Sequence, residues 1–288
     1  MAEPTDADPT PATARELWLA VEPIHAVIYF APDVHAALAE AGTKGFWMGY
    51  FGARAAPMGA VSAGVVNATF FNFEPGQVAR ALPDVWGFVT PEELVEVRRV
   101  ASAQLLRGLA TNMAPMVVEA AADAVELVAA AIETVGRPLA AANQALPPVA
   151  DPYERLWQAT TTVREHRGDG HVALLVANGL DGVEVHVLQA AAGVVPRERL
   201  QAARAWTDEQ WDAAARRLRE RGWLDGAGEL TPVGVDGRAA IEAQTDALAS
   251  VPGVDLRAVI EALAPVTAAV AASGIITYPN PIGLPPRS

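Results

Sequence analysis

The segment Arg164-Glu165-His166-Arg167-Gly168-Asp169-Gly170-His171 places six ionisable side chains and two glycines in eight consecutive residues. Apolar stretches flank it, Leu156-Trp157 before and Val172-Ala173-Leu174-Leu175-Val176 after. Charges carried into a core must be paired, coordinated or at work, because burying them alone is costly. Three chemistries fit these residue types. His166 or His171 beside Glu165 or Asp169 could move a proton near neutral pH, the role of a catalytic pair. The same histidines, His166 or His171, could ligate haem or a divalent metal. The spacing is not the i, i+4 histidine pair of a zinc helix, so His25, His35 or His186 would have to join from elsewhere. Alternatively, Arg164 and Arg167 could pair with Glu165 and Asp169 in a structural ion network.

A second constellation lies nearer the N-terminus. Tyr29-Phe30, Phe46-Trp47, Tyr50-Phe51, Phe70-Phe71 and Phe73 bring aromatic rings together with Arg54, in a Gly-, Ala- and Pro-rich setting that holds little acid. Aromatic stripes are most often plain core. An arginine among aromatics also suits a planar or carboxylate-bearing ligand, through stacking and paired hydrogen bonds. The expected ligand-binding residues are therefore His25, Tyr29, Tyr50, Arg54, Trp157, Arg164 and Arg167. Glu165, His166, Asp169 and His171 form the polar end of the same site. No P-loop, G-x-G-x-x-G or G-x-S-x-G string is present, so nucleotide-dependent and esterase readings have no support.

These side chains need helices to position them. Ala14 to Tyr29 and Asp33 to Ala41 carry helical apolar spacing. Thr90-Pro91-Glu92-Glu93 has the threonine, proline and glutamate of a helix start, and Pro115 to Val135 reads as a long Ala/Val helix. Arg137 to Val149, with three prolines, reads as a linker or crossover. Asp151-Pro152 opens the helix that carries the charged cluster, and Gly168 and Gly170 are expected to end it, with Asp169 capping a further helix from His171. Asp181-Gly-Val-Glu184 is another capping box. Four regions are expected: a disordered lead-in at 1–13, a helical domain at 14–145, a second helical domain at 146–275 and an extended tail at 276–288.

Composition narrows the function classes. The chain has 288 residues, 51% of them hydrophobic and 19% charged, which is enough apolar material for a sizeable core. The net charge of −13 disfavours nucleic acid and anionic membranes as partners. There are no cysteines, which removes disulfides and thiolate chemistry. Met1 to Thr13 lacks the features of a signal peptide, and acids interrupt every long apolar stretch, so a cytoplasmic location is expected.

From Glu198 to Asp246 the pattern becomes helix, turn, helix, short hairpin, helix. Leu200 to Trp206 is followed by a helix capped at Thr207. Arg221-Gly222-Trp223-Leu224 then reads as a strand entry, Asp225 to Gly228 as a turn and Glu229-Leu230-Thr231 as the return. The string from Arg221 to Gly234 resembles MarR-type winged helices. Arginines cluster at 216–221, yet from Asp181 to Arg238 ten acids outnumber eight arginines, and the wing is acidic.

Several stretches together resemble an actinobacterial family of helix-turn-helix proteins of unknown function. They are His25 to Phe30, Gly49-Tyr50 through Gly59, Phe71-Asn-Phe73, Gly136 to Asn143, Leu156-Trp157, Arg164 to His171, and Arg204-Ala-Trp206-Thr207 through Trp211 with Leu230-Thr231. The resemblance implies a fold and a lineage close to specialised metabolism, without implying an activity. The expectation is a mainly α protein, with a helical N-terminal part and a C-terminal winged helix-turn-helix bearing a short β-hairpin. It would bind a hydrophobic or aromatic small molecule, up to a tetrapyrrole in size, as an enzyme or a binding protein. The alternative is a MarR-like DNA-binding regulator. The Ala-rich segment from Leu256 to Ala272 offers a homodimer interface.

Overall fold

The computed structural model describes residues 10–286. Most of the expected lead-in, and the last two residues of the expected tail, lie outside the described residues. The chain forms α1 (Pro11–Phe30), α2 (Pro32–Glu40), α3 (Gly45–Ala55), α4 (Ala63–Phe70), α5 (Pro75–Ala79), α6 (Pro91–Leu109) and α7 (Pro115–Ala131). It continues through α8 (Pro138–Gln144), α9 (Pro152–Ala177), α10 (Gly182–Ala191), α11 (Arg197–Arg204), α12 (Asp208–Glu220), α13 (Pro232–Leu248) and α14 (Leu256–Ala272).

Local chemistry sets most helix starts. Thr90, Asp181 and Thr207 each accept from the N3 amide, while the N3 Glu or Gln reaches back to the cap, so two otherwise orphaned donors are satisfied at each end. Asp151 and Thr231 cap α9 and α13 through their side chains.

Two apolar clusters form. The larger joins α1, α2, α3, α6, α7 and the first half of α9, and it takes in α14 and the tail residues Ile276 and Leu284. The smaller gathers Leu175, Val183, Leu188, Leu200, Trp211, Leu218, Trp223 and Ile241, and belongs to α10–α13. The long helix α9 runs through both. The segment Leu256 to Ala272, a proposed dimer surface, packs as α14 against α1 and α7 of its own chain.

The mainly α expectation agrees with the structure, and the winged β-hairpin does not. Among the described residues there is no β-strand; a single antiparallel bridge joins Leu224 and Leu230. The sequence leaves no room for more. Gly222, at φ 72°, ends α12, and Trp223 N–H bonds back to the Leu218 carbonyl. Thr231 is already the cap of α13. Trp223 and Leu224 turn inward to the smaller core instead of extending a ladder.

Gly168 and Gly170 do not break α9, and Asp169 caps no helix beginning at His171. The helix continues to Ala177 because its interior is packed on several sides, and packing outweighs the roughly 1 kcal/mol helix penalty of each glycine. Gly170 has a further reason. A Cβ there would lie 2.5 Å from Arg137 Nη1, whose N–H donates to the His166 carbonyl. The segment from Arg137 to Val149 is more than a linker, since it contains α8 beneath that crossing.

Candidate functional site

The walls of one cleft are charged, with arginines outnumbering carboxylates. A cavity of about 400 Å³ opens between α1, α3 and α9 on one side and α10, α11 and α13 on the other, with the tail residues Pro281 to Gly283 along its edge. Tyr50, Arg54, Arg164, Arg167, Asp169 and His171 all line it. The aromatic and charged constellations thus meet through these residues. His25, Tyr29, Trp157, Glu165 and His166 are not in its lining.

Glu165 sits behind the wall, 1% exposed. Arg54 donates to it twice, Nε to Oε1 at 2.8 Å and Nη2 to Oε2 at 2.9 Å, while its guanidinium lies 4.1 Å from the Phe70 ring centre. Arg164 donates from Nη1 to Glu165 Oε2 at 3.0 Å and from Nε to both Glu22 oxygens at 3.3 Å. Burial alone would raise the Glu165 pKa; Arg54 and Arg164 overcome it and hold the carboxyl well below the ordinary range. Glu165 is therefore a fixed anion committed to two cations, and the fork of Arg54 is already filled.

The other predicted catalytic residues separate. Residues 166 and 171 are five apart on an unbroken helix, so they face different ways. His166 turns toward Ala249 and Val251, and burial, aided by Arg137, lowers it to about 4. His171 faces the cleft. Thr245 Oγ1 donates to the Ile241 carbonyl, so it accepts from His171 Nδ1 at 2.9 Å. That arrangement assigns the proton to Nδ1 and leaves Nε2 as an acceptor. Burial also holds His171 below its ordinary value. Asp169 Oδ2 accepts from the Ala140 amide at 2.9 Å, and burial raises its carboxyl to about 6.

His25 belongs to a buried relay. Thr161 Oγ1 donates to the Trp157 carbonyl at 2.8 Å and accepts from His25 Nδ1 at 3.0 Å. Tyr29 then donates its O–H to His25 Nε2 at 2.8 Å. Burial first, and Arg164 next, keep His25 neutral. Trp157 is fully buried and donates to the His25 carbonyl at 3.3 Å. Among the described residues no group of three His, Asp or Glu side chains is placed to hold a metal ion.

The far end of the cleft joins Arg167 to residues outside the sequence-based set. Arg15 and Arg167 both pair with Glu242 and Asp246, and Arg238 lies beside Glu242. Glu22 is the acceptor of Trp18 Nε1 at 3.0 Å as well as of Arg164. Its signal is in the sequence: it is a lone carboxylate between Val21 and Pro23 in the apolar half of α1. Arg204 carries no comparable signal, since its place in the wall depends entirely on how α11 docks.

The helix-turn-helix segment spends much of its basic charge internally. Arg217 pairs with Asp181 and with Glu184, Arg197 with Asp208 and Asp212, and Arg221 donates to the Asn178 and Gly179 carbonyls. Arg216 is exposed and makes no such contact among the described residues.

With these features in place, comparison shows the class. The chain matches a helix-turn-helix family over residues 14–277. It belongs to that family, and the match takes in the helices that build the cleft as well as α10–α13. No curated protein and no solved structure matches the chain. No single helix among the described residues is long and apolar enough to cross a membrane.

Proposed function

We propose that the protein is a small-molecule-binding member of the helix-turn-helix family, with its ligand held in the cleft between α9 and α10–α13. The observation that carries this reading is the cavity of about 400 Å³, whose walls come from both apolar clusters. Its size lies in the range of small-molecule sites, and it combines apolar faces with a few convergent polar groups. Val185, Leu188 and Ile241 supply apolar surface; Asp169 and His171 supply polar atoms. Binding is favoured over turnover, because Glu165 is locked between two arginines and His166 faces away.

The test is differential scanning fluorimetry of the wild type and Val185→Trp against a library of amphipathic compounds, with native mass spectrometry of the hits. A ligand at a hundred times its Kd adds about 2.7 kcal/mol of stability. Compounds that raise the Tm of the wild type but not of the filled variant support the reading. Equal responses in both proteins, or no response across the library, overturn it.

A DNA-binding regulator is the second reading, favoured by the family match and by the exposed, unpaired Arg216 on α12. The ligand would then touch α10, α11 and α13, the elements that orient α12, and would bias DNA binding through its preference for one arrangement of them. Fluorescence anisotropy on a DNA library, titrated with salt, tests this; affinity independent of salt or absent throughout counts against it.

A further inference from the structure

We propose that the ligand of this cleft is a monoanionic, carboxylate-bearing amphipathic molecule and that Arg204 receives its carboxylate. The inference rests on the small-molecule reading above and names its chemistry. Arg204 is 5% exposed and lines the cavity, yet it makes no ion pair among the described residues. Its one side-chain hydrogen bond runs from Nη2 to the Pro281 carbonyl at 3.0 Å. Nε is buried without an acceptor. The guanidinium lies 4.3 Å from the centre of the Phe73 ring, so one face is covered by an aromatic surface.

The surrounding charges do not neutralise it. Arg54 and Arg164 are the nearby cations, and their counter-charges are Glu165 and Glu22. Those four side chains pair with one another, and Asp169, the next carboxylate in the lining, accepts from the Ala140 amide, so Arg204 is left without a carboxylate partner. Burial lowers its pKa; Tyr50 and Tyr29 act in the opposite direction, and no carboxylate is among the largest influences on it. A buried guanidinium without an anion is expensive, so a bound anion removes a cost that the folded chain otherwise carries. The unused donors suit a carboxylate, which accepts well from a planar guanidinium. A single unpartnered guanidinium matches a monoanion better than a phosphate dianion. Phe70, Phe71, Val185 and Leu188 lie along the same cavity and provide surface for an apolar body.

The tail contributes to this recognition. Asn280 is 1% exposed and closes a loop by bonding both the amide and the carbonyl of Leu284. This loop presents the Pro281 carbonyl to Arg204 and places Ile282 in the wall, which fixes the guanidinium before any ligand arrives.

The experiment is isothermal titration calorimetry on the full chain with matched acid and amide pairs: benzoate and benzamide, 1-naphthoate and 1-naphthamide, dodecanoate and dodecanamide. 1-Naphthyl phosphate is the phosphoryl comparison. At least one acid is expected to bind, with its amide tenfold or more weaker. Arg204→Gln should abolish that difference, and Arg204→Lys should keep part of it. The fluorimetric Tm of each unliganded variant reports folding.

Acid and amide binding alike, or an acid preference that survives Arg204→Gln in a folded protein, overturns the role of Arg204 and leaves the cleft reading in place. Stronger binding of the phosphate ester than of naphthoate overturns the carboxylate class. Failure of every acid, while neutral library compounds still distinguish wild type from Val185→Trp, also overturns it. Failure of both experiments removes the cleft reading as well.

Discussion

Arg54 and Arg204 share burial, an aromatic neighbour and one cleft, but they differ in what completes them. Arg54 covers Phe70 and gives two hydrogen bonds to Glu165. Arg204 covers Phe73 and gives one to a backbone carbonyl. The Arg54 region is electrostatically finished within the chain, and the Arg204 region is not. Residue type and aromatic setting cannot tell a structural arginine from one left for a ligand; the count of nearby carboxylates can. A planar ligand was expected at Arg54 on the strength of its aromatic neighbours, and Glu165 fills that place.

The sharpest way to break the comparison is to remove the counter-charge on the finished side. Glu165→Ala strips Arg54 of its paired carboxylate and leaves Arg164 with Glu22, both arginines still buried. Removing one member of a buried ion pair costs about 3–5 kcal/mol. Urea denaturation should show a loss of that size. A loss below about 1 kcal/mol, the range of surface pairs, would mean that solvent screens the network and that the two arginines differ little after all.

The polar floor between the two regions gives the next effect, through pH. Burial raises Asp169 to about 6 from an ordinary 3.8. Between those values the folded chain holds a proton that the unfolded chain has released, so this contribution to stability falls as pH rises. His166 and His186, lowered by burial to about 4 and about 3, act with the opposite sign. The folded chain resists protonating them, so their contribution rises from those values up to the ordinary histidine range. Asp169→Asn removes only the opposing component. Its stability should climb more steeply than the wild type's between pH 4 and 6, and end higher at pH 7 by about 3 kcal/mol. Parallel curves for the two proteins would place Asp169 in a well-solvated setting.

Much of the fold is legible locally, and much of the site is not. Thr90, Asp151, Asp181, Thr207 and Thr231 announce their helices because an N-cap acts within one turn. The density of charge from Arg164 to His171 points to α9 as a cleft wall. Gly168 and Gly170 mislead because their helix is held by distant partners, among them Arg137. The hairpin misleads because the cap of α13 and the glycine that ends α12 use up the residues a ladder needs. The pairing of Arg54 with Glu165 spans 111 positions, and that of Arg15 with Asp246 spans 231. No periodicity in one sequence encodes such pairs; they follow from which helices pack together.

On the unfinished side the expected effect is smaller and reversed. Arg204→Met removes a charge without a counter-ion and keeps a long apolar side chain against Phe73. The unliganded protein should be unchanged or gain about 1 kcal/mol, the lower end of the penalty for an unsatisfied buried polar group. A loss of several kcal/mol in urea denaturation would put Arg204 in the same structural class as Arg54.

The smallest effect extends the comparison to α12. Arg217 is paired within the chain, and Arg216, its neighbour, is not. Arg216→Ala should change stability by no more than about 0.5 kcal/mol, as for other exposed substitutions. Arg217→Ala frees Asp181 and Glu184 and should lose more. A double substitution would therefore confuse folding with binding, so the single Arg216 variant is the cleaner probe. If α12 contacts a phosphate backbone through Arg216, anisotropy should show weaker binding across all DNA sequences, with a salt dependence reduced by about one phosphate contact. Unchanged affinity and salt slope would leave Arg216 without a part in DNA binding, and the acidic character of the segment would weigh against that reading.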